Sequence, residues 1–199
     1  GLTWTALTRL GGLDDLQLAA MHRAGCRRLY VGIESGSQRI LDLYRKNLTV
    51  EAIRETVPRI QAAGIEVSAF FIVGAPGETE SDVEASLQLA LELEPDYVIV
   101  TRLQYWPGTD LHAEHRERLS FSLVPTHCEP LPAAGIPSYA DFLRWERMFY
   151  RRFYLRPSYM RRRAATLARS PADIAEGLAR LGSWVATSGS ADGGGRDFI

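Results

Sequence analysis

Several absences bound what this chain can be. Only two of its 199 residues are cysteine, Cys26 and Cys128, too few for a disulfide framework, and the expectation that follows is a reducing, cytoplasmic setting. No apolar run approaches the ~18 residues of a membrane span. The first residues lack the basic-then-apolar order of a signal peptide. Neither sign of charge is in excess, since 23 basic residues face 24 acidic ones, so global charge selects no partner. There is no Met at position 1; the chain opens with Gly1 and enters a strand-like segment at once, and it reads as a piece of a longer protein. Its length is enough for a real core, and one domain with an appendage is the natural expectation.

What is present is a pair of strand ends. Tyr30-Val-Gly-Ile-Glu-Ser-Gly-Ser37 and Phe70-Phe-Ile-Val-Gly-Ala-Pro-Gly-Glu-Thr79 are each a β-branched and aromatic run closing in glycines with charged or hydroxyl side chains among them. A parallel α/β sheet presents ligands in this way, because the buried strand opens at its carboxyl end into a loop where backbone can approach a small molecule.

Strand-like and helical segments alternate along residues 1–118, the pattern of a parallel sheet built from βα units. Strands are expected over 2–9, 28–33, 66–73 and 97–105, with helices from Leu13-Asp-Asp-Leu16 to Gly25, over 38–44, after Thr49 and after Thr79. Thr49 suits an N-cap, with Val50, Ile53, Val57 and Ile60 on one face of its helix, and Pro58 inside that helix is expected to kink it. Val83, Leu87, Ala90 and Leu91 form the buried stripe of the next helix, which Pro95 stops. Residues 119–138 are Pro-rich and read as a linker or wrapping loop. A helical extension follows over 139–187, with helices from Tyr139 to about Tyr154 and from Ser170 to about Val185, and 188–199 reads as a disordered tail. Four strands do not close a barrel, so the first strand needs a cover from elsewhere.

The four strand ends carry Arg9, then Glu34 and Ser35, then Gly74 to Glu78, then Arg102 to Thr109. On one face of a parallel sheet they line one cleft. A guanidinium suits a carboxylate, a carboxylate or hydroxyl suits ribose hydroxyls or an ammonium, and glycine backbone suits a flat purine, a set that fits a zwitterionic nucleoside. Plainer roles stand beside these. Glu34 also suits a helix N-terminus near Ser37, Arg9 a solvated strand end, and the Gly-Ala-Pro-Gly run a tight βα connection. Glu78 reads as serving the helix start and Lys46 as solvated.

The ordered series Trp4…Thr8-Arg9, Ala24-Gly-Cys…Tyr30-Val-Gly-Ile-Glu-Ser-Gly-Ser, Lys46…Thr49, Ala63-Gly-Ile…Phe71-Ile-Val-Gly-Ala-Pro-Gly-Glu-Thr and Pro95-Asp96…Pro107-Gly-Thr resembles the later half of a radical S-adenosylmethionine (radical SAM) domain. The likeness runs from residue 1 to about 112, and it is greatest to the branch whose members often carry an N-terminal cobalamin-binding domain. Phe149-Tyr-Arg-Arg-Phe-Tyr-Leu-Arg-Pro157 is similar to the segment that follows the barrel in that branch, which includes anaerobic cyclases, methyltransferases and hopanoid-associated enzymes. The resemblance implies an incomplete parallel (β/α) barrel and a 4Fe–4S cluster that binds the amino and carboxylate groups of S-adenosylmethionine. It also implies reductive cleavage to a 5′-deoxyadenosyl radical that abstracts hydrogen or supports methyl transfer through cobalamin. It assigns Glu34 and Ser35 to the ribose or amino-acid part of the cofactor, Phe71, Ile72, Val73 and Gly74 to adenine, Arg9 to the carboxylate, and Arg102 and Tyr105 to the substrate.

The family's C-x-x-x-C-x-x-C motif is missing, and a cluster needs three thiolates. Cys26 reads as a small apolar residue at the end of its strand opposite the mouth, and Cys128 beside His127 makes a thin metal-ligand set. Either the cluster and cobalamin are held outside this chain or the chain is a degenerate relative serving as a binding scaffold. Nine arginines against one acid between Arg144 and Arg169, with Phe142, Trp145, Phe149 and Phe153 at helical spacing, suit a docked amphipathic helix. The same helix suggests RNA contact, as in a tRNA-modifying enzyme, or contact with an anionic membrane.

Overall fold

β-Branched and aromatic residues concentrate in runs that begin at Cys26, Glu66 and Tyr97, each entered from a Gly or Pro just upstream, so each forms a strand rather than a helix. The computed structural model describes residues 1–115, 117, 119–121, 128–130 and 136–167. Its strands β1 (Trp4–Thr8), β2 (Cys26–Glu34), β3 (Glu66–Val73) and β4 (Tyr97–Arg102) make one sheet in the order β1-β2-β3-β4, and every pairing is parallel. Between them run α1 (Asp15–Arg23), α2 (Gln38–Leu43), α3 (Val50–Ala62) and α4 (Glu80–Leu93). Sequential strand order with right-handed crossovers puts the helices on one face and curls the sheet away from them. The fold is therefore an incomplete (β/α) barrel, as the sequence pattern indicates.

Alternation decides which face is covered. Leu29, Val31 and Ile33 of β2 and Val67, Ala69, Phe71 and Val73 of β3 are fully buried against the helices, where Leu18, Ile53, Val57, Ile60, Val83 and Leu87 meet them. The opposite face carries Arg28, Tyr30, Ser68 and Phe70. There the Arg28 guanidinium donates to Glu66 and Tyr97, and the Tyr30 and Phe70 rings lie 6.0 Å apart.

Local signals set the helix ends. Asp14 and Thr79 each close a capping box, with Gln17 and Asp82, and the Thr49 hydroxyl accepts from Ala52 N–H at 3.1 Å. Gly25, at φ +98°, admits no side chain, because a Cβ there would stand 2.1 Å from the Leu2 carbonyl oxygen. α3 continues through Pro58, which sits on its exposed side.

The structure corrects four expectations. β1 is shorter than 2–9, leaving Arg9 beyond the strand. β4 stops at Arg102, where Leu103 N–H turns onto the Val73 carbonyl at 2.8 Å. A short helix, α5 (Asp110–His115), follows the Pro107-Gly-Thr turn, and the Thr109 hydroxyl accepts from His112 N–H. Within the expected linker, β5 (Leu119–Phe121) pairs antiparallel with β6 (Cys128–Pro130).

α6 (Tyr139–Tyr154) begins and ends where the sequence pattern places it. Its four periodic aromatics are buried, and Arg144, Arg147 and Arg151 are exposed. Arg144 and Arg152 pair with Glu80 and Glu84 of α4. The Tyr154 hydroxyl bonds both N–H and carbonyl of Val98, and the Tyr150 hydroxyl accepts from Val100 N–H. These tyrosines occupy the outer edge of β4 at Val98 and Val100, where a further strand would otherwise pair. α6 thus belongs to the first of two compact units, Gly1–Tyr154, and the division falls at Leu155 rather than at 138/139. In the second unit, α7 (Pro157–Leu167) starts on a proline at its first turn and surrounds Tyr159 with Arg156, Arg162 and Arg163. The helix expected over 170–185 and the tail 188–199 lie outside the described residues. No helix among the described residues is long and apolar enough to cross a membrane.

Candidate functional site

The carboxyl ends of β2, β3 and β4 are adjacent by register, with Glu34 opposite Phe71 and Val73 opposite Arg102. At the end of β2 the pairing shifts between Gly32 and Glu34, and Glu34 adopts φ +67°. Its carboxylate folds back over Gly32, where a Cβ would stand 2.6 Å from Oε1. Glu34 is 8% exposed, and Oε1 accepts from Lys46 Nζ at 2.8 Å. Lys46, read from the sequence as solvated, is therefore a partner of Glu34.

Ser35 turns the other way. Its hydroxyl lies 3.1 Å from that of Ser86 on α4 and accepts from Ser37 N–H, while Gly36 N–H donates to the Ser86 hydroxyl. The Ser37 hydroxyl and the Arg39 guanidinium both reach Asp82. Burial opposes ionisation of Asp82, but hydrogen bonds from Ser37, Thr79 and Arg39 outweigh it and hold the carboxyl at about 2. The Ser35 side chain is thus engaged in docking the turn onto α4.

Along β3, Phe71 and Val73 point to the helices, and the Phe71 ring is 5.0 Å from that of Phe149. What faces the mouth is Ile72, Gly74 and their backbone. The Ile72 carbonyl accepts from the Tyr44 hydroxyl at 3.4 Å. Gly74 stands at φ +98°, and the stem of Arg102 would lie 3.6 Å from a Cβ there. The Arg102 guanidinium is 5.4 Å from the centroid of Tyr139.

Glu78, assigned from the sequence to the helix start, closes the β3 turn instead. Its Oε2 accepts from Gly74 and Ala75 N–H at 2.5 and 3.0 Å. Burial outweighs these bonds and pushes the carboxyl up to about 7. A folded-state value raised above the unfolded one means a stability contribution that is full below about pH 4.5 and lost as pH rises through 7. The wild-type unfolding free energy, measured in urea from pH 5 to 8, should therefore fall relative to that of Glu78→Gln as pH rises. Parallel curves would show that Glu78 does not titrate in that range.

Tyr105, expected to face a substrate, is fully buried, because β4 ends early and the chain carries it inward. Its ring meets His115 edge-on, and burial raises its hydroxyl to about 12. Arg9 is exposed. Tyr44, which sequence reading passed over, sits among these groups. Burial first, then the charges of Glu78, Glu34 and Tyr105, push its hydroxyl far above the usual range. Its signal was an aromatic at the end of the short helix directly after the β2 turn. Tyr44 also borders a cavity of about 470 Å³ with Arg45, Pro76, Leu103 and Leu111. The structure therefore gathers Glu34, Lys46, Tyr44, Gly74, Glu78 and Arg102, and it leaves Arg9 and the Ser35 side chain outside the group.

No set of three His, Cys, Asp or Glu among the described residues can hold a metal ion. Cys26 is fully buried at the amino end of β2, and burial raises its thiol.

Residues 2–90 match the sequence profile of the radical SAM superfamily. That match makes the segment similar to a family of enzymes. An uncharacterised methyltransferase of Pyrococcus horikoshii is 36% identical over 110 residues, which are 55% of this chain and 24% of that protein. Two solved radical SAM structures share the fold. Coproporphyrinogen III oxidase of Escherichia coli aligns with TM-score 0.57 and 18% identity, over 75% of this chain and 32% of that one. The methyltransferase TsrM of Kitasatospora setae, solved with cobalamin and a 4Fe–4S cluster bound, aligns with TM-score 0.53 and 21% identity, over 71% and 30%. The chain spans a quarter to a third of the length of these relatives.

Proposed function

We propose that the strand mouth of this chain binds S-adenosylmethionine as part of a radical SAM enzyme. The observation that supports this most directly is Glu34, a buried carboxylate held over Gly32 beside the glycine turn of β3. The residues present suit the cofactor. Opposite charges lie at the end of β2, the glycine turn of β3 leaves room without a side chain at Gly74, and the stem of Arg102 lies beside it. They do not suit an iron–sulfur cluster, since two cysteines cannot supply three thiolates. We place the cluster, and the cobalamin expected from the resemblance, outside these 199 residues. The methyltransferase name of the Pyrococcus relative favours methyl transfer as the reaction.

The test is titration of the anaerobically reconstituted full-length protein with S-adenosylmethionine, together with a search for 5′-deoxyadenosine or a methylated product. Glu34→Gln should weaken binding about tenfold or more, on the scale of ~1.4 kcal/mol per decade, whereas Cys26→Ala should leave it near wild type. Equal effects of the two substitutions would remove the mouth as the site.

A further inference from the structure

Charge is divided unevenly along the chain. Nine of its 23 basic residues, but one of its 24 acidic ones, fall between Arg144 and Arg169. In a chain of almost no net charge, such segregation marks the segment as a surface for an anionic partner. On α6 the structure divides the arginines by role. Arg144 and Arg152 tie the helix to Glu80 and Glu84 of α4. Arg147 and Arg151 are exposed and make no ion pair among the described residues. Arg144, Arg147 and Arg151 follow at i, i+3 and i+7, one outward stripe about 10 Å long. The Arg144–Glu80 pair, at 3.3 Å and more than half exposed on both sides, is of the kind that contributes little. It can exchange for a phosphate.

The stripe leads to the strand mouth. Tyr154 meets Val98, Tyr150 meets Val100 and Tyr139 meets Arg102, so α6 runs along β4 in reverse and its first turn stands at the mouth. There Tyr139 is 48% exposed, its ring 5.9 Å from that of Phe142 and 5.4 Å from Arg102 Cζ. Trp106, in the turn after β4, is 49% exposed. Exposed rings at the head of an arginine track are the two parts of a single-strand binding surface, in which the arginines follow the phosphates and a ring stacks a base. An anionic bilayer also suits arginine, but a helix lying on it needs an apolar face to bury there. On α6 that face is spent on the core, through Phe142, Trp145, Phe149 and Phe153.

We propose that α6 is the contact surface for single-stranded RNA, with phosphates along Arg144, Arg147 and Arg151 and a base stacked on Tyr139 at the mouth. RNA is the nucleic acid that presents unpaired, splayed bases in folded loops. This rests on the reading of the mouth as a cofactor site and adds the substrate class, an RNA base brought to the rim along α6.

The full-length protein, held anaerobic, is titrated with a short fluorescein-labelled single-stranded RNA of mixed sequence over a range of salt, and separately with S-adenosylmethionine. Arg147→Gln with Arg151→Gln should weaken the RNA about tenfold at low salt and flatten the slope of log affinity against log salt by about 1.4, the share of two phosphate contacts on a single strand. Tyr139→Ala should weaken it about fivefold or more with the wild-type slope, and Tyr139→Phe should bind as wild type. Loss through the arginine variant with no effect of Tyr139→Ala removes the base contact, and with it the substrate class. The surface is wrong if the arginine variant changes neither affinity nor slope, or if the wild type binds phosphatidylglycerol vesicles but not the RNA, and S-adenosylmethionine binding then leaves the cofactor reading in place. If the RNA binds as expected and S-adenosylmethionine does not, the surface stands and the cofactor reading fails.

Discussion

Gly36→Ala is expected to destabilise the first unit by about 3 kcal/mol or more, at the upper end of overpacking costs because nothing soft can yield. The Ser35-Gly36-Ser37 turn presses on α4 so closely that a Cβ at Gly36 would stand 2.3 Å from the Ala85 carbonyl oxygen, 2.6 Å from its carbon and 2.7 Å from Ser86 Cα. All three are backbone atoms of a capped helix. Relief requires the turn to lift, which breaks the Gly36 N–H bond to Ser86 and the Ser35–Ser86 contact. Urea denaturation of the variant beside Gly11→Ala, where a Cβ meets nothing within 4 Å, separates this effect from a general glycine effect. The control should stay within about 0.5 kcal/mol of wild type. Similar midpoints for the two variants would mean that the turn is not docked as described.

Phe149→Ala should cost about 3–5 kcal/mol, the range for removing a fully buried aromatic from a core. Phe149 is fully buried, and its ring lies 5.0 Å from that of Phe71 on β3 at a tilt of 48°. Its loss also loosens the helix that carries Tyr150 and Tyr154, whose hydroxyls occupy the edge of β4. A second signature is therefore expected: light scattering that rises with protein concentration as the bared edge pairs with other chains. Tyr150→Phe with Tyr154→Phe keeps the packing and removes only the edge bonds. That double variant should show the scattering with a smaller loss of stability. Scattering from neither would mean that the edge is protected by something other than α6.

The strands and helices up to Leu93 were legible from the sequence because each local signal agreed with the others. Gly25 and Gly64 stop helices, Thr49 and Thr79 start them, and the β3 run ends in a glycine turn. The end of β4 was not legible, since Leu103, Gln104 and Tyr105 continue a strand-like composition and only the bond from Leu103 to Val73 turns the chain. α7 was missed for a related reason. Its start at Pro157 carries the same proline signal as Ser170-Pro171, and the sequence offered no ground for preferring the earlier one.

The candidate site divides along the same line. That Glu34 and the Gly74 turn share one rim follows from a parallel sheet, and periodicity with turn chemistry is enough to indicate such a sheet. Directions of side chains are another matter. Ser35 faces α4, Phe71 faces α6 and Tyr105 turns inward, while Lys46 reaches Glu34 from the connection after α2. Each of those outcomes depends on contacts between segments tens of residues apart, through the alternation of β3 and the shifted register at Gly32. The amino-acid sequence alone determined the α/β layout and the rim. Which side chains face the rim was decided by tertiary packing, because a one-residue shift in a strand reverses the face that each side chain occupies.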